Sequence, residues 1–86
     1  MSMTEPPARP DWEHDQHVDA GEVGCGELIM FLRSEIQPFP EGTRILLTAK
    51  DYAAATEVDA WCRMTGNLLE GIQDNFFLIV RQRLED

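Results

Sequence analysis

The run Phe76-Phe77-Leu78-Ile79-Val80 constrains the fold more than any other stretch of the chain. Aromatic, aliphatic and β-branched residues in immediate succession are strand-forming. The spacing predicts a strand from Phe76 to Gln82. Leu68 to Ile72 is its hairpin partner, and Gln73-Asp74-Asn75 forms the turn between them. A second dense run, Thr43-Arg44-Ile45-Leu46-Leu47-Thr48-Ala49, reads as a buried strand. A chain with these strands must find something apolar to lay against the sheet.

Two helical periodicities supply it. Leu28, Ile29, Leu32 and Ile36 recur at helical spacing, which predicts a helix from Gly26 to Ile36. Arg33 and Glu35 face water, Met30 and Phe31 widen the apolar surface, and Phe31 covers core or belongs to a docking patch. Pro38, Pro40 and Gly42 end that helix. Ala54, Val58, Trp61, Cys62 and Thr65 share a face of a second helix, expected from Tyr52 to Thr65. Asp51 is suited to cap its start and Gly66 to end it in the left-handed conformation. A short, polar strand from Gln16 to Ala20, with Val18 inward, completes the order βαβαββ. The expected fold is a two-layer α/β sandwich, with two helices on one face of a mixed four-stranded sheet. The other face is left for solvent or a partner.

With 86 residues the chain holds one core and no second domain. Residues 1–13, with Pro6, Pro7 and Pro10, read as a flexible Pro-rich tail in which Trp12 pins the segment or lies exposed. The domain is expected from 14 to 86. The net charge of −9 speaks against nucleic acid and anionic membrane, since phosphate binding needs a basic footprint. It suits solubility or a partner with a basic face. No apolar run is long enough to span a bilayer, and the first residues do not read as a signal peptide. The expected location is cytoplasmic.

Chemistry is expected at Val18-Asp19-Ala20-Gly21-Glu22-Val23-Gly24-Cys25-Gly26-Glu27-Leu28. Here a strand enters a Gly-punctuated turn that delivers Cys25 to the start of a helix. Unpaired N–H groups and the positive end of the helix dipole favour thiolate there. Cys62, on the apolar side of the second helix, reads as a small buried hydrophobe. The two cysteines form no CxxC pair, and His14 and His17 lack further ligands, so neither a metal nor a cofactor is expected. No Ser-His-Asp spacing stands out. His17 is a distant option as a neighbour of Cys25. A Cys25–Cys62 disulfide is disfavoured by the buried reading of Cys62.

Val18-Asp19-Ala20, the lone Cys25 opening a helix, Pro40-Glu41-Gly42 and Val58-Asp59-Ala60-Trp61-Cys62-Arg63-Met64-Thr65-Gly66 together resemble the TusA-type (SirA-like) sulfur-carrier family. The likeness spans roughly residues 16 to 82. It implies a carrier that takes sulfane sulfur as a persulfide on Cys25 from a donor such as a cysteine desulfurase or rhodanese-like protein. A protein acceptor then receives it, for tRNA thiolation, cofactor synthesis or sulfur oxidation. The implied activity is sulfurtransferase-type and needs partner proteins. The family pattern Cys-Pro-x-Pro is replaced by Cys25-Gly26-Glu27-Leu28, and its Arg-Gly-Leu before the cysteine by Gly21-Glu22-Val23. Gly26 loosens the junction relative to proline, and the Glu22 carboxylate opposes thiolate formation. Two other readings stand beside the carrier. One is an interaction adaptor of the same fold that has lost sulfur transfer, and the other is a redox switch using Cys25 as a sensor thiol.

Overall fold

The structure, a computed structural model, describes residues 10–24 and 26–82; positions 1–9, Cys25 and 83–86 lie outside the described residues. The elements are β1 (Gln16–Gly21), α1 (Leu28–Glu35), β2 (Arg44–Ala49), α2 (Ala54–Thr65), β3 (Leu68–Gln73) and β4 (Phe76–Val80). The four strands form one sheet in the order β1-β2-β4-β3. β1 runs parallel to β2, and both β2–β4 and β3–β4 are antiparallel. This is the mixed, two-layer α/β arrangement expected from the apolar patterning.

Alternation along the strands separates two faces. Ile45, Leu47 and Ala49 of β2, with Phe77 and Ile79 of β4, pack against Leu28, Leu32 and Ile36 and against Ala54, Val58, Trp61 and Cys62. Phe31 is half-buried against that cluster, so it covers core. Each fully buried Leu, Ile or Phe contributes about 1.5–3 kcal/mol of transfer free energy, which makes this layer the main source of stability.

Element ends depart from expectation for local reasons. α1 begins at Leu28, two residues after the expected start, because Gly26 takes φ +89°, outside any helix. α2 begins at Ala54 instead of Tyr52. Asp51 spends its carboxylate on the Ala53 N–H (2.9 Å) and its carbonyl on the Ala54 N–H, closing a turn ahead of the helix. Gly66 ends α2 at φ +80°, the left-handed conformation its sequence position suggested. β4 stops at Val80, yet the Arg81 N–H still donates to the Thr43 carbonyl and the Gly42 N–H to the Arg81 carbonyl.

The outer face is also apolar. Register places His17, Leu46, Leu78 and Gly71 in one row across the sheet, with Arg44, Val80 and Leu68 in the next. Leu46 is wholly buried, and Leu78 and Val80 nearly so, although neither helix lies on that side. The end of the expected tail accounts for part of this cover. Pro10 is buried, Trp12 is half-buried, and the Trp12 indole rests on Gly71. The Asp15 N–H donates to the Arg44 carbonyl (2.8 Å), the Arg44 N–H to the Asp15 carboxylate (3.0 Å), and Arg44 Nε to the Glu13 carbonyl (3.0 Å). Of the two readings of Trp12, the structure shows the pinned one: Pro10 and Trp12 pack on the sheet while Asp11 and Glu13 are exposed.

Candidate functional site

The carboxyl end of β1 is built by short polar contacts. Gly21 at φ +60° lets the chain turn, and its N–H donates to the Asp19 carboxylate at 2.8 Å. Its carbonyl accepts from the Lys50 N–H, which ties this turn to the end of β2. The Val23 N–H then donates to the Ala20 carbonyl, and Val23 packs against the core. One residue before position 25, the Gly24 carbonyl accepts from both the Glu27 N–H (3.1 Å) and the Leu28 N–H (2.9 Å). Gly24 is thus tied directly to the start of α1.

Cys25 itself, the expected site residue, lies outside the described residues. Its neighbours in sequence are described. α1 carries no acidic residue in its first turn and no side-chain cap on its N-terminal N–H groups. That leaves a local excess of positive partial charge at the helix start. Against it stand Glu22 and Glu27, both exposed, and Asp51. A Cβ placed on Gly24 would sit 3.6 Å from Asp51 Oδ1, so the turn before α2 abuts the turn before α1. Asp51 is an acid beside this junction that the linear sequence does not reveal. Only the pairing of β1 with β2 brings residues 24 and 51 together.

The second thiol is excluded from nucleophilic work. Cys62 is a free cysteine, 2% exposed on the core side of α2. Burial, followed by the nearby Asp59 carboxylate, pushes its thiol up to about 12. Its role as a small buried hydrophobe matches expectation.

The histidines do not converge on the turn. His17 points to the outer face, where its Nε2 lies 2.9 Å from Thr48 Oγ1, and α1 packs on the opposite face. His14 Nδ1 donates to the Trp12 carbonyl at 2.8 Å. Among the described residues, no three His, Cys, Asp or Glu side chains gather to hold a metal ion. Nor is any helix among them long and apolar enough to cross a membrane.

No protein-family model matches the chain, and none of the curated proteins does. Function therefore rests on the chemistry of the residues.

One polar cluster escaped the sequence reading. At the sheet end remote from the β1–α1 turn, Asn67 is only 5% exposed. Its Oδ1 accepts from the Arg81 guanidinium and from the Gln82 N–H (2.9 Å), and its Nδ2 donates to Thr65 Oγ1 (2.8 Å). Arg81 Nε also donates to the Phe39 carbonyl, beside a cavity of about 490 Å³. An Asn directly after a helix-ending glycine was the available signal. Its contacts to Arg81 and Gln82 are long-range and have no sequence pattern.

Proposed function

We propose that the protein is a sulfur carrier acting through Cys25. The observation that carries this reading is the position of the cysteine in the sequence. A cysteine stands, in sequence, between Gly24 and Gly26, just ahead of a helix with no side-chain cap, while the chain's other cysteine is sealed in the core. The resemblance of the surrounding residues to TusA-type carriers supplies the chemistry. The Cys25 thiolate attacks the outer sulfur of a donor persulfide. A new S–S bond forms to Cys25, the donor's S–S bond breaks, and the donor departs as its thiolate. The sulfane sulfur moves with no net redox change. An acceptor nucleophile then takes the terminal sulfur and releases Cys25. The donor is a cysteine desulfurase or a rhodanese-like protein, the acceptor is another protein, and the reaction belongs to the cytoplasm.

The acids around the turn favour a second reading. Glu22, Glu27 and Asp51 all disfavour an anionic sulfur, as an adaptor that no longer carries sulfur would tolerate. Intact-mass measurement after treatment of the reduced protein with polysulfide or a persulfidated desulfurase separates the two. A carrier gains one sulfur atom in the wild type and in Cys62→Ser, and none in Cys25→Ser. An adaptor gains none in any of the three.

A further inference from the structure

At the sheet end remote from the β1–α1 turn, opposite charges line one cavity without meeting. Gln37, Phe39, Pro40, Glu41, Arg81 and Gln82 bound a space of about 490 Å³. Among the described residues, the Arg81 guanidinium and the Glu41 carboxylate form no ion pair, with each other or with another group. The turn that carries Glu41 is fixed against Arg81. The Pro40 carbonyl accepts from the Thr43 N–H (3.1 Å) and from Thr43 Oγ1 (2.7 Å), and the Gly42 N–H donates to the Arg81 carbonyl (2.8 Å).

A guanidinium has five N–H donors. Arg81 spends three of them on neutral oxygens: Nε on the Phe39 carbonyl (3.0 Å), and Nη1 on Asn67 Oδ1 and the Gln82 carbonyl (2.9 Å). Both N–H groups of Nη2 are left over. Gln37 repeats the pattern. Its Oε1 accepts from Asn67 Nδ2 at 3.4 Å, and its Nε2 has no partner among the described residues. Buried Asn67 thus orients both side chains, taking one donor of Arg81 and the acceptor of Gln37. What remains unspent on both is N–H donors, held by a supporting contact of the kind that preorganises a binding site.

We propose that this cavity binds a free amino acid, with its carboxylate on Arg81 Nη2 and Gln37 Nε2 and its ammonium on Glu41. Paired N–H donors on a guanidinium suit a carboxylate, and the charge assistance strengthens the contact. A simple anion would face Glu41 and a net charge of −9, whereas a simple cation would face Arg81. A zwitterion satisfies both walls and carries no net charge. The site is separate from Cys25 and does not rest on the sulfur-carrier reading.

The test titrates the full-length chain separately with each proteinogenic L-amino acid, with acetate and with ethylamine. Chemical shifts of the Glu41 and Gln82 amides and of the Gln37 side-chain amide are followed. At least one amino acid is expected to bind saturably and move all three signals. Acetate and ethylamine, each with half of the zwitterion, are expected to bind more weakly by about tenfold or more. Glu41 is exposed, so its replacement leaves the fold intact. Glu41→Gln is expected to weaken amino-acid binding about tenfold. Glu41→Lys is expected to abolish it and to tighten acetate binding. The proposal is overturned if no amino acid binds the wild type, if acetate binds it as tightly as any amino acid does, or if Glu41→Gln binds undiminished.

Discussion

The Asn67 side-chain oxygen accepts a hydrogen bond from the Arg81 guanidinium, and this joins the end of α2 to the end of β4. The same oxygen takes the Gln82 N–H, and Arg81 reaches on to the Phe39 carbonyl after α1. One carboxamide therefore fastens the closing residues of three elements.

Replacing it should be felt in stability. In Asn67→Ala the Arg81 guanidinium loses one of its acceptors and the Gln82 N–H is left without its partner. Leaving buried polar groups unmade costs about 1–3 kcal/mol. Urea unfolding of Asn67→Ala is expected to show a lower midpoint with an unchanged slope. An unchanged midpoint would mean that water replaces Asn67 at no cost.

The Cys62 thiol makes stability fall in alkali. Its folded value, about 12, lies above the ordinary 9.0, so the folded state keeps a proton that the unfolded state has lost. Between those values the unfolded chain binds fewer protons, and stability drops by up to about 1.4 kcal/mol per pH unit as pH rises. Below about 9 both states are protonated and this contribution vanishes. Unfolding measured from pH 8 to 11 should slope downward more steeply in the wild type than in Cys62→Ala. Parallel curves would show that the thiol ionises freely in the fold.

The same burial predicts slow alkylation. In Cys25→Ser the remaining thiol reacts only through opening of the core. With a stability of about 5 kcal/mol, iodoacetamide labelling should be slower than in the urea-unfolded chain by about three orders of magnitude or more. Labelling at the unfolded rate would place Cys62 at the surface.

Gly26 gives a prediction with a definite sign. A proline there needs φ near −65°, whereas the chain holds +89°. Gly26→Pro should not rigidify the turn in its present form. It is expected to cost about 3 kcal/mol or to force the turn to rebuild, seen as a lowered melting temperature with shifted amides at Gly24 and Leu28. Gly26→Ala, which meets no atom within 4 Å, should cost about 1–2 kcal/mol from backbone strain alone.

The layers of the fold were legible because they rest on repetition. Phe76 to Val80 could be little but strand, and the Ala54-Val58-Trp61-Cys62 stripe fixed the buried side of α2. Gly66 was legible as a stop because the left-handed conformation selects glycine. The start of α1 was not, since Gly26 is compatible with a helix end or with a turn and only φ distinguishes them. For Trp12 the sequence left two readings, pinned or exposed, because the neighbouring prolines suggested a free tail. The clue was Gly71, an unexplained glycine inside a strand, which marks close approach by another group. At the candidate site, the sequence supplied Cys25 and Glu22 but not Asp51, whose proximity to Gly24 comes from strand pairing.

The seating of Trp12 on Gly71 has a consequence for the order of events during synthesis. Trp12 leaves the ribosome early, but its seat on Gly71 is translated about sixty residues later. At about 5–20 residues per second that is a delay of about 3–12 seconds. The indole must wait in solvent while β2, α2 and the β3–β4 hairpin are made. The first segment of this domain to be born is thus among the last to find its place, and for those seconds the nascent chain presents a free tryptophan to whatever is near it.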